Sequence, residues 1–277
     1  MPITFPAHQA AVLPLKLWRP RWFDGTALVV GSGSPDLFSV LSSPDGFSSH
    51  GTEGVAVAVV FTILYATVLR RWAVDGLFGS LPDFGPFQAR SYRVLALGRP
   101  RLLVTAFSAF VGVFSHVFID SFTHPGRSGA TLLGLNRVLI DTEVFTASGA
   151  RILQYFGHTV GSLVGVMLFV LVVSKRHLGE WYGTDTITAA RNAPVRPRAR
   201  LRTTLVVAAS VAAGFAWGVG HEVFPVFHMG LAFVLGLLLA GILNGTKPTA
   251  RVERCRATST RPATTSSMSS RDLSPRT

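Results

Sequence analysis

The sequence predicts an all-α fold, a polytopic transmembrane helical bundle with five or six spans, and three observations carry that prediction. Hydrophobic residues make up 48% of the chain against 14% charged, and the mean hydropathy of +0.41 exceeds what a soluble domain of this length carries. Apolar runs near the ~20 residues that a helix needs to cross a bilayer recur at 54–69, 102–119, 152–174, 203–219 and 225–243. The basic residues avoid these runs and collect between alternate pairs of them.

That alternation sets an expected topology. Six basic residues lie between the first two runs (Arg70, Arg71, Arg90, Arg93, Arg99, Arg101), seven between Lys175 and Arg202, and seven from Lys247 onward. By the positive-inside rule all three segments face the cytoplasm, which leaves Arg127, Arg137 and Arg151 in one outer loop. Placing Lys16, Arg19 and Arg21 inside as well requires a sixth crossing near 26–42, a weaker segment interrupted by Pro35, Asp36 and several Ser and Gly. The expected location is the cell (inner) membrane, multi-pass, with N- and C-termini cytoplasmic. The net charge of +12 is thereby spent on topology and anionic headgroups, so the lipid bilayer is the expected partner and no nucleic acid is.

Domain organisation follows from composition. Residues 1–245 form the transmembrane helical domain. Residues 246–277, rich in Ser, Thr, Arg and Pro, read as a disordered basic C-terminal tail. The polar stretch 180–202, with Pro194 and Pro197, reads as a cytoplasmic loop, and the N-terminus lacks the compact apolar core of a removable signal peptide. The single cysteine, Cys255, excludes a disulfide framework and a thiolate metal cluster. Any metal must therefore be held by His and carboxylates.

The second strong run carries Ser108, Gly112, His116, Asp120 and His124 at successive four-residue steps. On a helix these share one face, a polar and small stripe that should turn toward the bundle. Pro125 disfavours helical geometry at His124, so the helix should end there. Ionisable groups inside a span are costly and mark function by default. Here His116 and Asp120 can ligate one divalent cation or form a hydrogen-bonded pair that fixes two helices. Partners for a cation site are available in His8, Asp36, His50 and Glu53. In the third run Gly157, Gly161 and Gly165 predict tight helix packing, with His158 beside them as a packing residue. His221, Glu222 and His228 read as solvated or interfacial.

The segments Pro2-Ile-Thr-Phe-Pro-Ala-His8, Gly31-Ser-Gly-Ser-Pro35-Asp36, Ser49-His50 before Glu53-Gly54, and Ser115-His116-Val-Phe-Ile-Asp120-Ser-Phe-Thr-His124 resemble the domain-of-unknown-function 4184 family of uncharacterised bacterial membrane proteins. Their order is also similar to that of predicted membrane-bound metal-dependent hydrolases and, more distantly, of zinc-dependent phospholipases C. The resemblance implies His8, Asp36, His50, His116 and Asp120 as metal ligands, with Glu53, Asp120 and His124 in acid–base or supporting roles. It further implies a divalent metal, zinc in first place, and a phosphoester or lipid-derived substrate. The rival expectation is a non-enzymatic membrane protein, a transporter or scaffold, in which the His/Asp stripe is structural.

Overall fold

The computed structural model describes residues 6–42, 46–81, 88–97, 101–174, 177–193, 197–219 and 225–244. These are helical almost throughout, and four helices are long and apolar enough to cross a membrane: Thr52–Phe78, Leu102–Thr123, Gly149–Val173 and Arg198–Val219. They coincide with four of the five strong runs. The fifth run falls on Pro225–Leu243, of which His228–Leu243 is apolar but shorter. The expected tail at 246–277, and His221 and Glu222, lie outside the described residues.

The first long helix comprises α4 (Thr52–Leu64), a π turn (Tyr65–Leu69) and α5 (Arg70–Ser80). The second is α7 (Leu102–Thr123), reached through a 3-10 turn at Ala89–Arg93 and the short α6 (Val94–Leu97). Its faces divide as the sequence required. Thr105, Ser108, Gly112, His116 and Asp120 are buried, whereas Phe107, Phe110, Phe114 and Phe118 are half exposed on the outside. A ladder of phenylalanines open to the surroundings is tenable where those surroundings are acyl chains.

The segment before α4 departs from expectation. Instead of one crossing helix at 26–42 there are α2 (Gly25–Gly31), α3 (Ser34–Leu37) and a 3-10 turn (Phe38–Leu41). The break has local causes: the Ser32 and Ser34 hydroxyls bond back to the Val29 and Gly31 carbonyls, and Pro35 starts a new helix in its first turn. Preceding it, α1 (Ala7–Trp18) packs on α2, the Gln9 amide reaching the Val29 carbonyl at 3.3 Å. At 12 and 7 residues, α1 and α2 extend about 18 and 10 Å, short of the ~30 Å hydrocarbon core. The chain enters α1 beside Asp120 and leaves it at Lys16, near the opposite end of α7.

The turn between α1 and α2 is held by polar groups that satisfy one another. Lys16 Nζ donates to the Pro20 and Phe23 carbonyls at 2.6 and 2.8 Å. Asp24 Oδ1 accepts from the Thr26 and Ala27 amides at the start of α2, and Oδ2 accepts from Thr105 Oγ1 at 3.0 Å and faces Arg70 Nη1 at 3.6 Å. The Asp24 amide donates to Ser108 Oγ at 2.8 Å. The π turn brings Arg70 to this carboxylate, and buried charges paired and hydrogen-bonded in this way are retained where lone ones would not be.

After α7, α8 (Ser128–Leu132) leads to an antiparallel hairpin of β1 (Val138–Asp141) and β2 (Thr146–Ser148). This hairpin is a small departure from the all-α expectation, closed by Thr142 Oγ1, which takes the Phe145 amide at 2.9 Å. The third long helix is α9 (Gly149–Ser174). The expected loop at 180–202 instead contains α10 (His177–Tyr182) and α11 (Thr184–Asn192). Leu178 and Ala190 are buried there, and Arg93 bonds the Ala193 carbonyl at 2.9 Å; few buried contacts suffice when a short helix lies along a surface. Finally α12 (Pro197–Val219) and α13 (Pro225–Leu243) pack as a pair. His228, expected at an interface, is buried with its ring edge-on to Trp217 at 4.5 Å.

Candidate metal centre

The last two turns of α7 place His116 and Asp120 one above the other, and the helix stops where Pro125 requires. His124 is the capping residue in extended conformation (φ −107°, ψ 127°), its amide still bonded to the Asp120 carbonyl. Two other elements bring side chains to this face. Asp36 comes from the first turn of α3, and His50 from the loop before α4, with Nδ1 fixed by Ser49 Oγ at 2.9 Å.

One ligand atom from each of Asp36, His50, His116 and Asp120 lies within 4.8 Å of all the others. His50 Nε2 is 3.2 Å from His116 Nε2 and 3.1 Å from Asp120 Oδ2, and His116 Nε2 is 3.4 Å from Asp120 Oδ2 and 3.5 Å from Asp36 Oδ1. Donors held about 2.0–2.2 Å from a tetrahedral ion stand ~3.3–3.6 Å from one another, so these four separations are close to a cation's spacing, and the remaining pairs lie within 4.8 Å.

Hydrogen-bond logic sharpens the fit. His116 Nδ1 meets the Ser32 carbonyl at 2.8 Å, and a carbonyl only accepts, so Nδ1 carries the hydrogen. In the neutral ring Nε2 then presents a lone pair, and it presents it to two carboxylate oxygens. Acceptors facing acceptors in a buried pocket need a proton or a metal ion between them. The arrangement can therefore hold a cation, and its ligands are oriented as metal-binding histidines are, through the second ring nitrogen.

Close backbone packing sets the Ser32 carbonyl in place. A Cβ added at Gly112 would stand 2.7 Å from the Leu28 carbonyl oxygen, and one at Gly31 would stand 2.9 Å from that of Ala109. Only because both positions are glycine can α2 lie against α7 closely enough to reach His116.

His8 reaches the same pocket from α1. Its ring lies 4.0 Å from that of His116, centroid to centroid, and Nε2 faces Asp120 Oδ1 at 3.6 Å. Neither atom has a hydrogen-bond partner among the described residues. Asp120 thus turns one oxygen to His50 and His116 and the other to His8. Gly161 and Gly165 of α9 admit the start of α1, their added Cβ atoms falling 3.2 Å from Ala7 Cβ and 2.5 Å from the Pro6 oxygen.

His124 stands at the rim, Nδ1 3.6 Å from Asp120 Oδ2 and Nε2 2.9 Å from Gln154 Nε2. It lies outside the span, and burial lowers its pKa below the ordinary histidine value, opposed by the Asp120 charge. Glu53 does not join the cluster: it is exposed in the first turn of α4, where its charge meets the helix N-terminus. The residues that sequence reasoning did not assign to the site are Ser32, Ser49 and Gln154, whose contributions depend on tertiary contact, and His158 of α9, whose ring lies 6.1 Å from that of His8.

A helical membrane protein with a buried His/Asp cluster is the class that fold and site define. The chain belongs to the family described as a domain of unknown function (DUF4184), whose model matches residues 1–246. Neither a curated protein nor a solved structure matches it.

Proposed function

We propose that this chain is a membrane-bound metal-dependent hydrolase in which Asp36, His50, His116 and Asp120 hold a divalent cation, zinc in first place. The observation that carries the reading is His116, fixed through Nδ1 on the Ser32 carbonyl, turning Nε2 toward Asp36, Asp120 and His50 Nε2. Imidazole and carboxylate donors suit zinc-class ions. When bound, such an ion supplies a Lewis acid that lowers the pKa of a water from 15.7 to about 7.

The protein's own groups do the rest. A carboxylate oxygen of Asp36 or Asp120 not engaged by the cation takes the proton released by water. His124 positions Asp120 from the rim, itself held by Gln154. The Ser32 carbonyl holds the His116 ring in the tautomer that ligation needs, and Ser49 Oγ orients the His50 ring through Nδ1. As the water oxygen bonds to the phosphorus or carbonyl carbon of the substrate, the bond from that atom to the leaving oxygen would break, and the leaving oxygen would take the proton held by the carboxylate.

The substrate we favour is a phosphoester of lipid origin. Beyond the end of α7 that carries the cluster, Leu132, Leu133, Val144 and Phe145 are exposed, an apolar rim suited to the boundary between acyl chains and headgroups. Arg101 at the start of α7 and Arg70, paired with Asp24 beside Thr105, lie at the opposite end of α7 from the cluster, which supports an inner-membrane protein with its site toward the outer face and its C-terminal tail in the cytoplasm. Residues 1–245 act as the membrane domain and 246–277 as the tail. Purified protein in lipid vesicles should hydrolyse a phosphodiester lipid, lose that activity with chelator and recover it with zinc. Activity indifferent to chelator, or equal in His116→Ala, rejects the reading.

A further inference from the structure

Between α7 and α9 the chain sets aliphatic side chains where a water-facing loop would carry polar ones. Leu132 is 81% and Val144 95% exposed, and Leu133, Val138, Leu139 and Ile140 are exposed with them. Successive residues of a strand point to opposite faces, so β1 shows large aliphatic groups on both. The segment is nonetheless firmly built. Asn136 accepts from the Gly126 amide at 2.8 Å and donates to Thr131 Oγ1 at 2.9 Å, and the Gly149 and Ala150 amides donate to the Arg137 and Leu135 carbonyls at 3.1 and 2.8 Å.

Two constraints fix where such an element sits. A contiguous exposed apolar patch marks a surface that meets something other than water. The open edges of a two-stranded sheet, however, carry backbone groups that a hydrocarbon core cannot satisfy, and Asp141 and Glu143 at the turn would be costly there. The boundary between headgroups and acyl chains meets both requirements. The patch also continues onto the outward side of a span: the Phe145 ring lies 6.4 Å from that of Tyr155 in α9, and Tyr155 and Phe156 are exposed.

We propose that α8 and the β1–β2 hairpin form an interfacial element that lies on one leaflet, its aliphatic side chains among the upper acyl chains and Arg137 and Arg151 on phospholipid phosphates. Both arginines are exposed at the base of the hairpin, Arg137 directly before β1 and Arg151 in the first turn of α9, and basic groups at a membrane surface attract anionic headgroups. Arg151 lies one turn before Gln154, whose side chain meets His124 at the rim of the cluster at 2.9 Å. Lipid phosphates gathered there stand at the level of the candidate site. The proposal rests on the membrane placement and lipid substrate read above, and not on the metal.

The test uses the full chain carrying Cys255→Ser in vesicles of phosphatidylcholine and phosphatidylglycerol, with chelator present throughout. Spin labels are attached singly at Leu133→Cys and Val144→Cys, with Phe114→Cys on the lipid-facing side of α7 as reference. Labels at 133 and 144 should collide with oxygen more than with a water-soluble nickel chelate, at a shallower depth than 114. Free access to the nickel chelate overturns the proposal. Labels that broaden one another and meet neither collider also overturn it, assigning the surface to a second copy of the chain. Arg137→Gln combined with Arg151→Gln should lose the preference for retaining phosphatidylglycerol over phosphatidylcholine through detergent washing, read by native mass spectrometry; an unchanged preference overturns the headgroup contact. Each of these failures leaves the metal centre standing, since no readout involves metal or turnover.

Discussion

Gly112→Ala is a single-methyl change at a residue that is not itself a ligand, and the geometry expects it to damage both packing and the metal centre. The new Cβ would stand 2.7 Å from the Leu28 oxygen, 3.1 Å from Gly31 Cα and 3.1 Å from the Ser32 amide nitrogen. Ordinary contact begins near 3.4 Å, so α2 must retreat from α7 by about 0.7 Å, and the atoms in the way are backbone, which cannot rotate aside. Overpacking of this kind costs about 1–3 kcal/mol. The same retreat stretches the 2.8 Å bond from His116 Nδ1 to Ser32 to the edge of hydrogen-bond range and frees the ring to change tautomer. Loss of such an outer partner lowers metal affinity by roughly 10–100-fold. Thermal unfolding in detergent reads the first effect, and zinc competition against a chromophoric chelator reads the second. Gly157→Ala is the control, because nothing lies within 4 Å of its added Cβ. If Gly112→Ala matches Gly157→Ala in both assays, the account of how α2 orients His116 is wrong.

Further expectations are as direct. Gly165→Ala, whose added Cβ would lie 2.5 Å from the Pro6 oxygen, should displace the start of α1 and lower thermal stability where Gly157→Ala does not; equal melting temperatures refute the close contact. Arg70→Met leaves the partly buried Asp24 carboxylate without its arginine partner and should lower stability by less than the ~3–5 kcal/mol of a fully buried pair, measured by denaturant unfolding, with Asp24→Asn in the same background restoring part of the loss. Acidification should release the bound metal, because imidazole ligands must be neutral and carboxylates ionised to coordinate; metal retained unchanged from pH 7 to pH 4 contradicts histidine ligation.

Much of this arrangement was readable in the chain because it depends on local spacing. Four-residue steps put Ser108, Gly112, His116 and Asp120 on one buried face with phenylalanines opposite, and Pro125 ended the helix at His124. The segment at 26–42 stood out as the weakest candidate crossing because Pro35, Asp36 and several Ser interrupt it, and those residues break it into α2 and α3. Glu53 lay near His50 in sequence and faces outward in space, since a helix turns each successive residue by about 100° and only one side of α4's first turn looks inward. His158 reads in the sequence as a packing residue, and its place beside the His8 ring depends on the contact of Ala7 with Gly161. Gln154 became visible only once α9 stood against the end of α7.

Elemental analysis of the purified, untagged protein tests the central claim most directly, with His116→Ala and Asp120→Ala prepared in parallel. The account predicts stoichiometric zinc-class metal in wild type and its loss in both variants at similar yield of folded protein. Metal-free wild type after zinc loading, or variants that keep the full complement, would contradict it and leave the cluster as a set of helix-pinning contacts.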